Sequence, residues 1–281
     1  MNLQGKVVVA TGATSGIGAV AVETLARQGA RVHFIARDEK RAKATLDRLE
    51  AVAPGLGHRA YFADLAAIGE TKRACAEIAA AEPKIDLLIN NAGALFSDRR
   101  ISVEGLELTF ALNHMSYFTV TKSLIENLKA AGSARIVSTA SRAHMQGKFD
   151  IDDLQSQRGY SGYRAYGASK LENILFTREL ARRLAGTGVT ANCFHPGVVG
   201  TRFASESGGL FQTLIGLARP FLLTPEQGAD TLIWLATSPE VAAVSGVYFA
   251  KRMPAPTRAE ARDDALAAKL WAASEALYAS H

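Results

Sequence analysis

Short apolar runs alternate with helical patterns along the whole chain, and that alternation limits the fold more tightly than any single residue does. The first run, Lys6-Val7-Val8-Val9-Ala10, is continuously apolar, as expected of a strand covered on both faces. Similar runs predict strands near residues 31–36, 58–62, 85–89, 134–138, 189–194 and 246–250, with helices between them. This order implies the α/β class, with a doubly wound parallel sheet of about seven strands and helices on both faces. The 281 residues contain no linker break, repeat or low-complexity tract, so a single domain over residues 1–281 is expected. In such sheets ligands bind at the carboxyl ends of the strands, near the point where strand order reverses.

The first strand runs straight into Thr11-Gly12-Ala13-Thr14-Ser15-Gly16-Ile17-Gly18, and a helix follows. Glycines at such a turn let the backbone approach a ligand without a Cβ in the way. The helix N-terminus then offers free N–H groups and a positive dipole end to a pyrophosphate. Gly12, Thr14, Ser15, Gly16, Ile17 and Gly18 are therefore candidate cofactor-binding residues, although the spacing is Gly-x-x-x-Gly-x-Gly and not Gly-x-Gly-x-x-Gly. The next strand ends at Ala36-Arg37-Asp38, where an NAD-binding fold usually carries a carboxylate. A guanidinium at Arg37 suits a 2′-phosphate by charge and by its forked geometry, which favours NADP(H) over NAD(H). Asp38 either serves the ribose or caps the helix that starts near Glu39.

Tyr166 and Lys170 stand at i and i+4, on one face of a predicted helix. A phenol pKa is normally ~10, and a nearby ammonium favours the phenolate and lowers it. A tyrosine tuned in this way can exchange a proton with a substrate hydroxyl or carbonyl. Two serines, Ser138 and Ser141, follow the run Ala134-Arg135-Ile136-Val137. Three positions apart on extended backbone they point to opposite faces, so only one can look into a site.

With these motifs the chain resembles a short-chain dehydrogenase/reductase from about Leu3 to Phe249, and is most similar to the retinol dehydrogenase-like members. The segments that carry the likeness are Ile35-Ala36-Arg37-Asp38, Asn90-Asn91-Ala92-Gly93, Leu112-Asn113-His114, Ser141-Arg142-Ala143-His144, Leu171-Glu172-Asn173-Ile174-Leu175-Phe176-Thr177 and His195-Pro196-Gly197-Val198-Val199. The resemblance implies a Rossmann-type domain that binds NADP(H). It assigns Asp64 and Leu65 to the adenine pocket, and Asn90, Asn91, Ala92 and Gly93 to the turn beside the adenine ribose. Pro196, Gly197, Val199 and Thr201 fall in the nicotinamide-side loop. Asn113, Ser141, Tyr166 and Lys170 take the catalytic roles: Asn113 supports a water linked to the lysine, Ser141 hydrogen-bonds the reacting oxygen, Tyr166 is the acid–base, and Lys170 binds the nicotinamide ribose and lowers the tyrosine pKa. The implied activity is reversible hydride transfer between the cofactor and a carbonyl or alcohol of a lipophilic small molecule such as an aldehyde, ketone or retinal-like compound. Rival readings are a steroid- or polyol-type dehydrogenase, a light-dependent reductase of a pigment precursor, and a nucleotide-binding sensor or scaffold without turnover. By resemblance alone, helices around residues 105–130 and 163–185 pair subunits, giving a homo-oligomer (dimer or tetramer).

A formal charge of +5 with pI about 9.2 is mild and spread out, and no nucleic-acid motif accompanies it, so no nucleic-acid partner is expected. The segment Met1-Asn2-Leu3-Gln4-Gly5 is too short and polar for a signal peptide or anchor, and no stretch approaches the ~20 apolar residues of a membrane helix. Cys75 and Cys193 read as reduced thiols of a cytoplasmic protein, without the spacing of a metal site. Asp150, Asp152 and Asp153, within the 146–164 insertion, read as a solvated loop. His114 and His144 flank proposed site residues and either line a substrate pocket or, as the favoured reading, are packing or surface residues. Residues 198–224 mix apolar side chains with glycines and form either a substrate lid or a packed helix plus loop. The tail, about residues 259–278, reads as an amphipathic helix that closes the pocket or packs on a partner subunit.

Overall fold

A computed structural model of the chain describes residues 2–147, 149–199 and 222–281. One sheet organises them, built from β1 (Val7–Thr11), β2 (Arg31–Ala36), β3 (Arg59–Phe62), β4 (Leu87–Asn90), β5 (Ala134–Thr139), β6 (Val189–His195), β7 (Tyr248–Ala250) and β8 (Met253–Pro254). The order across the sheet is β3-β2-β1-β4-β5-β6-β7-β8, parallel throughout except for the last pair. The chain winds outward from β1 to β3, returns to β4 beside β1, and winds outward the other way. The switch point is therefore the gap between β1 and β4. The expected strands are present, and β8 is an addition. It is a two-residue antiparallel edge ending in Pro254, too short to show a period and carrying a proline that an edge tolerates.

The continuous apolarity of β1 follows from cover on both sides. Val8 and Ala10 pack with Val22, Leu25 and Leu232 under α1 (Gly16–Arg27) and α7 (Pro225–Thr237), while Val7 and Val9 pack into the opposite core. That second core also holds Ile78 of α3 (Ile68–Ala81), Leu124 of α5 (Ser116–Ala130) and Leu180 of α6 (Gly162–Arg183). The helix α2 (Glu39–Val52) completes the first face, where Leu49 is fully buried.

The C-terminal segment forms a 3-10 turn, Ala259–Arg262, and then α8 (Asp264–Ser280) rather than one continuous helix. The break falls at Asp263, whose carboxylate accepts the Leu266 N–H at 2.9 Å and starts a new helix. α8 packs within its own chain. It lies on α5 and α6 of its own chain, with Trp271 stacked on Phe176 (centroids 5.9 Å apart) and edge-on to Phe118 (4.9 Å). Ion pairs Arg178–Asp264 and Lys122–Glu275 flank this contact. Most of the expected lid, and Thr201 with it, lies outside the described residues.

Candidate active site

The candidate residues gather at the carboxyl ends of the strands, on either side of the switch point. Gly12 and Gly16 have φ of +65° and +54°, a region that favours glycine. A Cβ on Gly12 would sit 2.8 Å from Asn91 Nδ2, and one on Gly18 would sit 2.1 Å from the Gly12 carbonyl oxygen. The turn is thus pressed flat against the exit of β4. Thr11 Oγ1 accepts the N–H groups of Asn91 (3.0 Å) and Ala92 (3.2 Å), and Asn91 Nδ2 donates to Gly12 O at 3.2 Å. Thr139 Oγ1 donates to Asn91 Oδ1 at 3.1 Å, which ties in β5. Ser15 at the N-cap of α1 makes no side-chain capping bond, and the first turn carries no acid. Its backbone donors are therefore left to a ligand, and the glycine cradle and positive helix end fit a pyrophosphate.

Arg37 is exposed at the exit of β2. Asp38 caps α2, its carboxylate accepting the Arg41 N–H at 2.7 Å, so of its two readings the cap is the one realised. Asp64 turns onto its own loop and accepts the Ala66 N–H at 3.0 Å, and Leu65 is buried beside it. At the exit of β6, Gly197 has φ of +88°, and a Cβ there would meet Leu223 Cδ1 at 2.3 Å. Val199 bridges Leu223. A Cβ on Gly228 would meet both Val199 Cγ2 (2.6 Å) and Ile17 Cγ1 (3.0 Å), so Val199 and the phosphate turn converge.

Asn113 lies in a π-helical turn, Ala111–Met115, inserted between a short α4 (Leu108–Phe110) and α5. Such turns occur mostly singly and often at functional sites. Its Oδ1 accepts the Ala94 N–H, and its Nδ2 donates to Ala94 O (2.9 Å) and to Ser169 Oγ (3.0 Å). Gly93 leaves the space in front: a Cβ there would be 3.0 Å from Asn113 Oδ1 and 3.5 Å from Lys170 Nζ. Ser138 is buried within β5, whereas Ser141 lies just past it and hydrogen-bonds Tyr166. The approach of these two depends on a glycine pair, since a Cβ on Gly147 would lie 2.3 Å from Gly167 C and push α6 away.

Lys170 is 2% exposed, and its Nζ donates to Thr139 O at 3.1 Å and stands 5.5 Å from the Tyr166 ring centre. Burial lowers its pKa to about 7, opposed by Glu172. Tyr166 departs from the sequence expectation. It keeps part of its surface open, yet burial raises its pKa, opposed by the Ser141 hydrogen bond. Tyr166 is therefore protonated at neutral pH. The Thr139 carbonyl also accepts from Asn173 Nδ2 (3.3 Å) and Tyr117 OH (3.5 Å). Sequence reasoning missed this shared acceptor because a backbone carbonyl carries no residue signature. Asn173 lay within a family-like segment without a role attached. Glu172, 2% exposed, is held well above the usual carboxylate range by burial and by Glu107.

The remaining polar features have other uses. Arg158 pairs with Asp150 and Asp153 in the insertion. A wide cleft of about 680 Å³ opens at the amino ends of the strands, opposite the candidate residues. Within it Lys6 pairs with Asp86 (2.8 Å) and Arg31 with Glu82 (3.0 Å).

The family model of the short chain dehydrogenases matches residues 6–208. This chain belongs to the short chain dehydrogenase family. As a short chain dehydrogenase it is an oxidoreductase acting on alcohol and carbonyl groups, and it is of the retinol dehydrogenase-like kind. Retinol dehydrogenase 14 of Homo sapiens is 38% identical over 98% of this chain and 87% of its own length. A candidate daunorubicin C-13 ketoreductase, DnrU of Streptomyces sp. (strain C5), is 38% identical over 98% and 93%. Among solved structures, an uncharacterized protein from Mycobacterium paratuberculosis matches at TM-score 0.79 and 31% identity, over 99% of this chain and 94% of that one. RhlG of Pseudomonas aeruginosa, solved as an NADP active-site complex, matches at TM-score 0.70 and 28% identity, over 88% and 95%.

Proposed function

We propose that this short chain dehydrogenase uses NADP(H) to interconvert a carbonyl and an alcohol on a lipophilic small molecule, with Tyr166 as the acid–base and Asn113, Ser141 and Lys170 as its supports. The observation that carries this reading is the convergence of Ser141 and Lys170 on Tyr166 beside the glycine cradle. The cofactor, when bound, supplies or takes up the hydride. Gly12, Thr14, Ser15, Gly16, Ile17 and Gly18 would hold its pyrophosphate and Arg37 its 2′-phosphate. Asp64 and Leu65 would line the adenine, and Asn91, Ala92 and Gly93 its ribose. Tyr166, Lys170, Pro196, Gly197, Val199 and Thr201 would line the nicotinamide side.

In the reducing direction the Tyr166 hydroxyl gives its proton to the substrate oxygen. The Ser141 hydroxyl donates a preorganised hydrogen bond to that oxygen. Lys170, fixed on Thr139 O, places positive charge beside the tyrosinate left behind. Asn113 links this group to the Ala94 backbone and supports proton supply. NADP(H) over NAD(H) is supported by the exposed Arg37 and by the NADP in the RhlG complex. A lipophilic substrate is supported by the exposed Met145, Val198 and Leu223, which belong to the turn after Ser141 and to the loop after β6. The relatives' names, retinol dehydrogenase and daunorubicin ketoreductase, point to alcohol and carbonyl substrates.

One domain, a cytoplasmic setting and a homo-oligomer belong to the same reading. Among the described residues no helix is long and apolar enough to cross a membrane. Because α8 covers the α5–α6 face, subunits would pair on surfaces it leaves open.

The test is NADPH and NADH consumption over aldehydes, retinal and cyclic ketones, comparing wild type with Tyr166→Phe. Turnover is expected to fall by about 10³-fold in the mutant, with NADPH affinity within about three-fold of wild type. A mutant of near-normal rate would sink the assignment.

A further inference from the structure

Ser141 starts a single 3-10 turn, Arg142–Met145, that leads within two residues to Gly147. The beginning of the turn is tied to the sheet. The Arg142 N–H donates to His195 Nδ1 at 3.3 Å, and the buried His144 ring meets the edge of Tyr248 (5.1 Å). The end of such a turn leaves carbonyls without a helical partner. Two of them accept from Arg258, which reaches over from the C-terminal segment: its Nη1 donates to Gly147 O at 2.6 Å and to His144 O at 3.4 Å. The guanidinium is itself held. Its Nε donates to Glu260 at 2.9 Å, its Nη2 donates to the other oxygen of that carboxylate, and only 22% of the side chain is exposed. A planar fork gripped along one edge presents its remaining nitrogen in a fixed direction. The backbone leading to it is anchored too, since the Ala255 N–H donates to Tyr248 O at 2.9 Å.

The turn presses on α6 backbone to backbone. A Cβ on Gly167 would sit 2.7 Å from both Ala143 O and Gly147 Cα. Gly167 directly follows Tyr166, so a shift of Ala143 or Gly147 passes to the Ser141 and Tyr166 positions with no side chain between to absorb it. Arg258 lies beyond residues 6–208, the span that matches the family model. We propose that Arg258 is a positioning residue: clamped by Glu260, its guanidinium pins the far end of the Arg142–Met145 turn against Gly167 and so fixes Ser141 beside Tyr166. The inference rests on the reading of Ser141 and Tyr166 given above.

A double-mutant cycle with Ser141→Ala tests it, read as NADPH consumption with retinal or with the panel carbonyl that turns over fastest. Ser141→Ala alone is expected to lower kcat about 10²-fold. Arg258→Met keeps the stem and removes the donors. It is expected to lower kcat about ten-fold in the wild-type background, with NADPH affinity within about two-fold, and less than about two-fold in the Ser141→Ala background. Arg258→Lys keeps one donor for Gly147 O and is expected to stay within about three-fold of wild type. An arginine that only stabilises the fold would give equal losses in both backgrounds. Hydrogen exchange of the peptide spanning residues 141–147 gives a readout independent of activity: it is expected to be about ten-fold faster in Arg258→Met, with exchange at residues 11–18 unchanged. If Arg258→Met does not fold, Glu260→Gln takes its place in the cycle, with about three-fold loss expected in the wild-type background and none in Ser141→Ala. An unchanged kcat, equal losses in the two backgrounds, or unchanged exchange at residues 141–147 would each overturn the proposal. The two failures are distinguishable. If Ser141→Ala keeps a near-normal rate, the site reading fails. If it is slow while Arg258→Met costs the same in both backgrounds, only this inference fails.

Discussion

Arg37 and Asp38 stand side by side at the exit of β2 and have separate tasks. Asp38 is spent on the α2 N-cap, and Arg37 beside it is exposed. Arg37→Asp should lower the NADPH-to-NADH ratio of kcat/KM by at least about ten-fold, because it removes a charge-assisted contact and adds a repulsive one. Steady-state kinetics with both cofactors checks this, and an unchanged ratio would show that Arg37 does not read the phosphate. At this scale the sequence was legible wherever a residue type answers a local demand, as with the Asp38 cap and the glycines of the turn. It was not legible for Tyr166, whose pKa direction depends on how much of the surrounding chain crowds the hydroxyl.

The β1–turn–α1 element gives a backbone prediction. A Cβ at Gly18 meets the Gly12 carbonyl oxygen, a backbone atom that cannot swing aside. Gly18→Ala should therefore cost roughly 1–3 kcal/mol in urea unfolding and weaken NADPH binding by opening the turn. Loss of binding without loss of stability would show that the close approach serves only the ligand. The strands were legible because burial on both faces writes a continuous apolar run. The π-helical turn at Ala111–Met115 was not, since one extra residue in a helix leaves the hydrophobic pattern nearly intact. The break before α8 was equally hidden, although Asp263 carries the capping chemistry in plain sight.

For the molecule as a whole, buried bases set the pH response. The folded state holds His114 near 3 and His195 near 4, both because of burial, against an ordinary 6.5. Between those values the unfolded chain binds protons that the folded chain refuses, so the stability present above 6.5 is lost as pH falls towards 4. Lys170, lowered to about 7 from 10.5, acts with the same sign at higher pH: its burial cost is relieved as pH rises through that window. Glu172, held above 4.5 by burial, acts with the opposite sign. The climb in stability of the cofactor-free chain is therefore expected between about pH 4 and 6.5, where two histidines outweigh one carboxyl. Each group contributes up to about 1.4 kcal/mol per pH unit within its own window. Urea unfolding across that range checks the slope, and a maximum in the acid range would contradict it.

The sequence by itself determined the doubly wound sheet, the glycine turn at its first crossover and the Tyr166–Lys170 spacing, because periodicity, backbone freedom and helical reach are local properties. Only the tertiary structure decided that one Thr139 carbonyl gathers Lys170, Asn173 and Tyr117, and that α8 lies on its own α5 and α6. These contacts join residues far apart in the chain. Burial and shared acceptors arise only when separate elements are brought together, so no window of sequence contains them.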